Sequence, residues 1–191
     1  RLSGDDDRRA RLVTGTTSAV SVEQYRKVAA ALHEEQVRSN LKTVMVTSAL
    51  PGEGKTLTVV NLALTLSESY GRRVVVIDAD LRGPSLHSTL NVANDRGLSE
   101  ALNDGQLTFV ELSSHFAVLT AGNTGSAPLA ALTSSRMSRV IEECASRFDW
   151  VLILFNTLAV MHMPRAIQHA YGLLREGGEL IVSAWRDDAH I

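Results

Sequence analysis

The sequence predicts a doubly wound α/β domain with a mostly parallel sheet, and three observations predict it. Three short apolar runs, residues 43–48, 73–77 and 150–155, read as strands buried on both faces. A helical segment, residues 55–70, separates the first two; the resulting strand–helix–strand unit defaults to a parallel pair with a right-handed crossover. The turn between the first strand and that helix is rich in glycine, Gly52-Glu53-Gly54. A length of 191 residues fits one such domain.

The elements follow in order. Residues 1–20 read as a disordered tail, because Asp5-Asp6-Asp7-Arg8-Arg9 is charge-dense with little apolar surface to bury. The ordered domain, residues 21–191, opens on a helix over 21–40. Ser21 with Gln24 three residues on makes a capping box, and Val22, Tyr25, Val28 and Leu32 recur at helical spacing. Gly71 closes the 55–70 helix. Residues 98–102 read as a short helix and 116–120 as a strand. Residues 135–148 read as a helix with Met137, Val140, Ile141 and Cys144 on one face. Pro164 starts a helix reaching Arg175, and Gly177-Gly178 turns the chain into a last strand over 179–183.

Composition excludes several classes. The 45% hydrophobic share rules out a disordered or collagen-like chain. Lys and Arg total 19 against 21 Asp and Glu, so the net charge of −2 offers no basic field to nucleic acid. The single Cys144 excludes an internal disulfide framework and fits a reducing compartment. The longest apolar run, residues 150–155, is far short of the roughly 20 residues a membrane helix needs, and no signal-peptide pattern is present. The first residue is Arg1 rather than Met, from which we expect a piece of a longer protein.

Ala49-Leu50-Pro51-Gly52-Glu53-Gly54-Lys55-Thr56 carries the strongest chemical signal. It fits the phosphate-loop pattern G-x-x-x-x-G-K-[ST], with Ala49 in place of the first glycine and with the required strand before and helix after. Glycines let successive N–H groups curl toward phosphate oxygens, and the helix adds its N-terminal dipole. Lys55 is placed to reach the β/γ-phosphates and the Thr56 hydroxyl to hold Mg²⁺. A second motif, Asp78-Ala79-Asp80-Leu81-Arg82, follows a buried strand. Carboxylates there lie on the ligand-binding edge of a parallel sheet, where they can serve a metal or accept a proton. The plainer alternative is that one Asp caps the next turn and the other is solvated.

These residues resemble the bacterial tyrosine kinases of capsular and exopolysaccharide synthesis, the BY-kinases, which share a P-loop superfamily with partition and division-site ATPases. The resemblance covers residues 21–153. It rests on Glu23-Gln24-Tyr25-Arg26, the phosphate loop, Asn61-Leu62-Ala63, Asp78-Ala79-Asp80-Leu81-Arg82 and Pro84-Ser85-Leu86. Weaker matches are Gly97-Leu98-Ser99, Ala121-Gly122 and Phe148-Asp149-Trp150-Val151. It implies ATP-dependent phosphorylation of tyrosine. Pro51, Gly52, Glu53, Gly54, Lys55, Thr56, Leu57 and Arg82 would bind ATP, Thr56 and Asp78 would hold Mg²⁺, and Lys55, Asp78 and Asp80 would be catalytic. The implied setting is the cytoplasmic face of the plasma membrane. There the domain would sit beside a membrane-embedded polysaccharide co-polymerase that activates it, with homo-oligomers forming through the 21–40 helix.

The chain also departs from that pattern. Partition-type ATPases resemble one another in a lysine five residues before the phosphate-loop lysine, and here that position is Leu50, which disfavours that branch. The ring-forming Glu-x-x-Arg-x-x-Arg has Glu23 and Arg26 but Ala29 in third place. The third acid of the family, expected after Ile153, is Leu154 when counted from Trp150 and Asn156 when aligned on Thr157. Neither is charged, so phosphoryl transfer is expected to be impaired while ATP binding persists. No tyrosine cluster ends the chain, whose tyrosines are Tyr25, Tyr70 and Tyr171. Residues 173–183 are similar to the late helix–turn–strand of class I methyltransferases, yet no G-x-G-x-G loop is present. Two other readings therefore stay open: a regulatory ATP-binding module without catalysis, and a partition-like ATPase. His87, His115, His162, His169 and His190 form no i, i+4 pair beside a carboxylate, so no zinc site is expected.

Overall fold

The computed structural model describes residues 19–48, 52–125, 132, 134–155 and 179–182. The expected tail up to residue 18, Pro51, Asn156 and the 164–175 helix lie outside the described residues. Eleven elements follow in order: α1 (Ala19–Ser39), β1 (Thr43–Thr47), α2 (Lys55–Tyr70), β2 (Val74–Asp78), α3 (Leu86–Leu90), α4 (Leu98–Asp104), β3 (Val110–Ser113), β4 (Phe116–Leu119), α5 (Ser135–Arg147), β5 (Trp150–Leu154) and β6 (Glu179–Val182).

The strands form one six-stranded sheet in the order β3-β4-β2-β5-β1-β6. Among the described residues only the β3–β4 pair is antiparallel; β2 runs parallel to β4 and β5, and β1 parallel to β5 and β6. The central strands are buried throughout because helices cover both faces, which is why they read as unbroken apolar runs. Alternation along each strand divides the core in two. Val44, Val46, Val74, Val76, Leu152 and Leu154 pack beneath α1 and α2, while Met45, Val75, Ile77, Val151 and Ile153 pack against α4 and α5. Doubly wound packing is thus observed. Cys144 is buried on the apolar face of α5.

The helix α2 binds the sheet through Val59, Val60, Leu62, Ala63 and Leu66. Each of its large aliphatic side chains contributes roughly 1.5–3 kcal/mol by leaving water. Gly71 ends the helix in the left-handed conformation, φ +59°, and donates its N–H to the Leu66 carbonyl.

Two expectations about α1 need correction. The helix begins at Ala19, so Ser21 lies inside the first turn and is not its cap; the tail expected through residue 20 is helical at its last two residues. Its buried stripe runs through Ala29 and Leu32, whereas Val28 is exposed. Leu32 is buried as expected and Val22 and Tyr25 are half-buried, so the expected stripe fails only at Val28, whose place in the core beside Leu41 is taken by Ala29. Gln36 anchors the helix end, its Nε2 donating to the Leu41 carbonyl at 3.1 Å and the Asp149 carbonyl at 2.9 Å.

Two elements have no counterpart in the sequence reading. Helix α3 has five residues, too few for a periodic signal, and stops at Asn91 in the left-handed region. Strand β3 is an edge strand with exposed Glu111, Leu112 and Ser113, so it shows no apolar run. A register shift between Glu111 and Ser113 interrupts its pairing with β4.

Candidate functional site

The carboxyl ends of β1 and β2 converge at one edge of the sheet, and the two sequence motifs meet there. After β1 the chain turns through Gly52 and Gly54, at φ +85° and +84°. An L side chain there would be strained even though a Cβ would meet nothing within 4 Å. Gly54 caps α2, and its carbonyl accepts the Thr58 N–H at 2.8 Å, which starts the helix. The N-terminal N–H groups of α2 therefore face the carboxyl edge of the sheet. Glu53 and Leu57 are half-buried, and Leu57 packs on the α2-side core.

Lys55 is the first residue of α2 and is buried, with its Nζ donating to Ser48 Oγ at 3.0 Å. Ser48 follows β1 and is itself fully buried. A buried ammonium is costly unless anions come to it. Thr56, one residue on, shares a hydrogen bond with Ser85, Oγ1 to Oγ at 2.6 Å.

Asp78 is the last residue of β2 and is fully buried. Its Oδ1 accepts the Asp80 N–H at 3.2 Å; its Oδ2 accepts the N–H groups of Ser85 at 3.2 Å and Leu86 at 3.0 Å. Burial pushes its carboxyl up to about 6, aided by the charge of Asp80 and opposed by these backbone donors. Asp80 is also buried, and its Oδ1 accepts the Gly83 N–H at 3.1 Å. The plainer alternative for this pair holds in half: both carboxylates cap the following loop, but neither is solvated. Ser85 thus joins the motifs, touching Thr56 with its hydroxyl and Asp78 with its backbone.

Across the β2–β5 ladder Asp78 stands opposite Leu154, the position reached by counting from Trp150. Leu154 is 1% exposed and belongs to the α2-side core. Arg82 is exposed on the loop after Asp80, apart from the buried pair. A groove of about 410 Å³ opens alongside, lined by Pro84, Asn94, Asp95, Gly122, Asn123 and Thr124. Its far wall is held by a tight junction. Gly97 N–H donates to Glu100 Oε2 at 2.7 Å, Leu98 N–H to the Thr120 carbonyl at 2.7 Å, and Gly122 N–H to Asn94 Oδ1 at 2.9 Å.

Sequence reasoning gave no role to Ser48 and Ser85. The available signals were position alone: Ser48 closes a strand seven residues before Lys55, and Ser85 precedes a helix start. Among the described residues no cluster of three His, Cys, Asp or Glu side chains is poised to hold a metal. A two-carboxylate and hydroxyl set still fits Mg²⁺, a hard cation that keeps several waters and takes the rest of its oxygens from phosphate.

Comparison with known proteins agrees with this geometry. Residues 40–151 match a family model described as ParA, NUBPL iron-transfer P-loop NTPase. That span runs from just before β1 into β5 and contains both motifs. The tyrosine-protein kinase YwqD of Bacillus subtilis is 31% identical over 174 residues, 89% of this chain and 71% of that protein. The succinoglycan biosynthesis transport protein ExoP of Rhizobium meliloti is 30% identical over 93% of this chain, which spans 23% of ExoP. Among solved structures, the BceF tyrosine kinase domain superposes with a TM-score of 0.67 at 27% identity, covering 84% of this chain and 76% of that one. The buried lysine at the helix start, the paired acids at the next strand end and these likenesses agree, and the chain belongs to the bacterial tyrosine-protein kinases within the P-loop NTPases.

Proposed function

We propose that this chain is an ATP-binding protein-tyrosine kinase domain that serves exopolysaccharide or capsule synthesis and export. The observation that carries the reading is the joining of Thr56 and Asp78 through Ser85, at the sheet edge where Lys55 and Asp80 also lie. The N–H groups of the Gly52–Gly54 turn and of the first α2 turn bind the phosphates, and Lys55 neutralises them. Thr56 and Asp78 would hold Mg²⁺, which would supply charge neutralisation for the phosphates when bound. With Asp78 given to the metal, we assign the proton of the acceptor to Asp80, whose Oδ1 accepts the Gly83 N–H. The tyrosine oxygen bonds to the γ-phosphorus as ADP leaves, and the phenolic proton passes to an Asp80 carboxylate oxygen. The groove beside Pro84 gives the acceptor segment room to approach.

The setting follows the family. We place the domain at the cytoplasmic face of the plasma membrane, activated by a membrane-embedded co-polymerase. The exposed side of α1, with Glu23 and Arg26, is our candidate for contact between copies. Among the described residues no helix is long and apolar enough to cross a membrane.

A second reading is favoured by Leu154. A leucine opposite Asp78 removes a negative charge from the position that counting assigns to the third acid, which weakens transfer more than nucleotide binding. On this reading the chain is a regulatory ATP-binding module. Incubating the purified chain with γ-labelled ATP and Mg²⁺, with and without a tyrosine peptide, separates the two. Labelled tyrosine supports the kinase. Saturable ATP binding without product supports the module, and released phosphate alone would favour an ATPase over both.

A further inference from the structure

We propose that Ser85 is a positioning residue for the Mg²⁺ ligand Thr56, a role that rests on the nucleotide-site reading above. A hydroxyl that gives its lone pair to a cation must send its hydrogen elsewhere. The partner Thr56 has for this is Ser85 Oγ, at 2.6 Å. With Ser85 as the acceptor, the Thr56 oxygen lone pairs are left for a cation.

Three further observations separate this role from ordinary helix capping. Ser85 is the residue immediately before α3, a place where a serine side chain commonly accepts a hydrogen bond from the helix's own N–H groups. Here it makes no such bond. The capping is done from outside by Asp78 Oδ2, which accepts the N–H groups of Ser85 and Leu86. The Ser85 hydroxyl is thereby released for Thr56, 29 residues away in sequence. Finally, the Asp78 contact fixes the Ser85 backbone, so the two magnesium-side residues, Thr56 and Asp78, are held by one serine. Displacing either shifts the other.

The test is a Mg²⁺ titration of ADP affinity, followed by calorimetry, on the whole chain and on Ser85→Ala, Ser85→Thr, Thr56→Ala and the Ser85→Ala/Thr56→Ala pair. We expect Ser85→Ala to leave ADP affinity without Mg²⁺ within about twofold. It should raise the Mg²⁺ concentration for half-saturation roughly tenfold, the worth of about one hydrogen bond. Ser85→Thr, which keeps the hydroxyl, should restore the wild-type titration. In the Thr56→Ala background, Ser85→Ala should add almost nothing. An unchanged Mg²⁺ titration in Ser85→Ala overturns the proposal, as does an equal loss of affinity with and without Mg²⁺, which would mark a structural role. Additive losses in the pair also overturn it. Wild-type chain that binds no ADP under either condition would sink the nucleotide reading and this proposal together. Wild-type binding with an unaltered Ser85→Ala titration sinks this proposal alone.

Discussion

Leu154 pairs across the β2–β5 ladder with Asp78, and both lie on the sheet face beneath α2. An apolar side chain is therefore the strand neighbour of the carboxylate assigned to the metal. Replacing it tests whether that spot can host an acid. We expect Leu154→Asp to lower stability without Mg²⁺ by about 3–5 kcal/mol, because a buried charge is added next to another carboxylate. Saturating Mg²⁺·ADP should recover more stability in the variant than in the wild type. Thermal melts with and without the ligand measure this, and equal recovery would place Leu154 away from the metal. The competing alignment puts the acid at residue 156, and there Asn156→Asp should raise autophosphorylation at fixed Mg²⁺. No change at any Mg²⁺ concentration would count against that alignment.

Asp78 also predicts a pH dependence. Its carboxyl sits at about 6 in the folded chain, chiefly through burial, against about 3.9 for an unfolded aspartate. Between these values the folded chain keeps a proton that the unfolded chain has released. Stability from this group is therefore complete below about pH 4 and lost as pH rises through 6, by on the order of 3 kcal/mol. The Asp80 charge beside it pushes the same way as burial, and the backbone donors oppose them without reversing the sign. Urea unfolding in EDTA from pH 4 to 8 should show the wild type losing stability relative to Asp78→Ala across that window. Parallel curves would contradict the assignment.

Lys55 should separate folding from binding. Lys55 is 7% exposed as a residue and its Nζ donates to Ser48 Oγ, and methionine keeps the apolar stem while dropping the charge. Lys55→Met should leave the melting temperature without ligand unchanged or raised. ATP affinity should fall by roughly 100-fold, as expected for losing about 2.7 kcal/mol of charge-assisted contact. A variant that melts lower yet binds ATP normally would assign Lys55 to the core.

The junction behind the groove predicts a purely structural effect. A Cβ on Gly97 would lie 2.1 Å from the Thr120 carbonyl oxygen and 2.5 Å from the Gly122 nitrogen, both backbone atoms with little room to yield. Gly97→Ala should cost about 2–4 kcal/mol, as overpacking does at rigid sites, and should loosen the groove wall that α4 anchors. Denaturant melts of this variant and of Gly105→Ala provide the comparison; a Cβ on Gly105 meets nothing within 4 Å, so that variant carries only the smaller backbone strain of φ +79°.

Much of this was legible beforehand, for physical reasons that differ by residue. The strands of the sheet centre announced themselves because burial on two faces favours runs of apolar and β-branched residues, as in Val74–Asp78 until its final carboxylate. The phosphate loop was legible because Gly52, Gly54 and Lys55 are demanded by backbone conformation and charge together. What escaped was tertiary. Ser85 carries no local mark of its bond to Thr56, since that contact exists only when α3 folds back over α2. Strand β3 was hidden because an edge strand tolerates Glu111 and Ser113. On α1 the misplaced position was Val28, because Val28 and Ala29 are adjacent and packing against α2 took the smaller side chain.

The burial of Ala29 has a consequence for assembly. By resemblance, Ala29 occupies the third place of a ring-forming motif whose first two members, Glu23 and Arg26, are exposed. Ala29 itself is 0% exposed and lies within the α1–α2 core. The steps from Glu23 to Arg26 to Ala29 each advance 300° around a helix of 3.6 residues per turn, so the third position rotates off the outer face. Restoring arginine there should therefore damage the fold before it builds an interface. We expect Ala29→Arg to cost about 2–4 kcal/mol through overpacking and a desolvated charge and to produce no larger species on size-exclusion chromatography. Glu23→Ala and Arg26→Ala should leave the melting temperature within a degree or two, as exposed positions do, and should reduce any self-association that the wild-type chain shows. An Ala29→Arg chain that melts like the wild type and elutes as a larger assembly would move the interface onto the face we assign to the core.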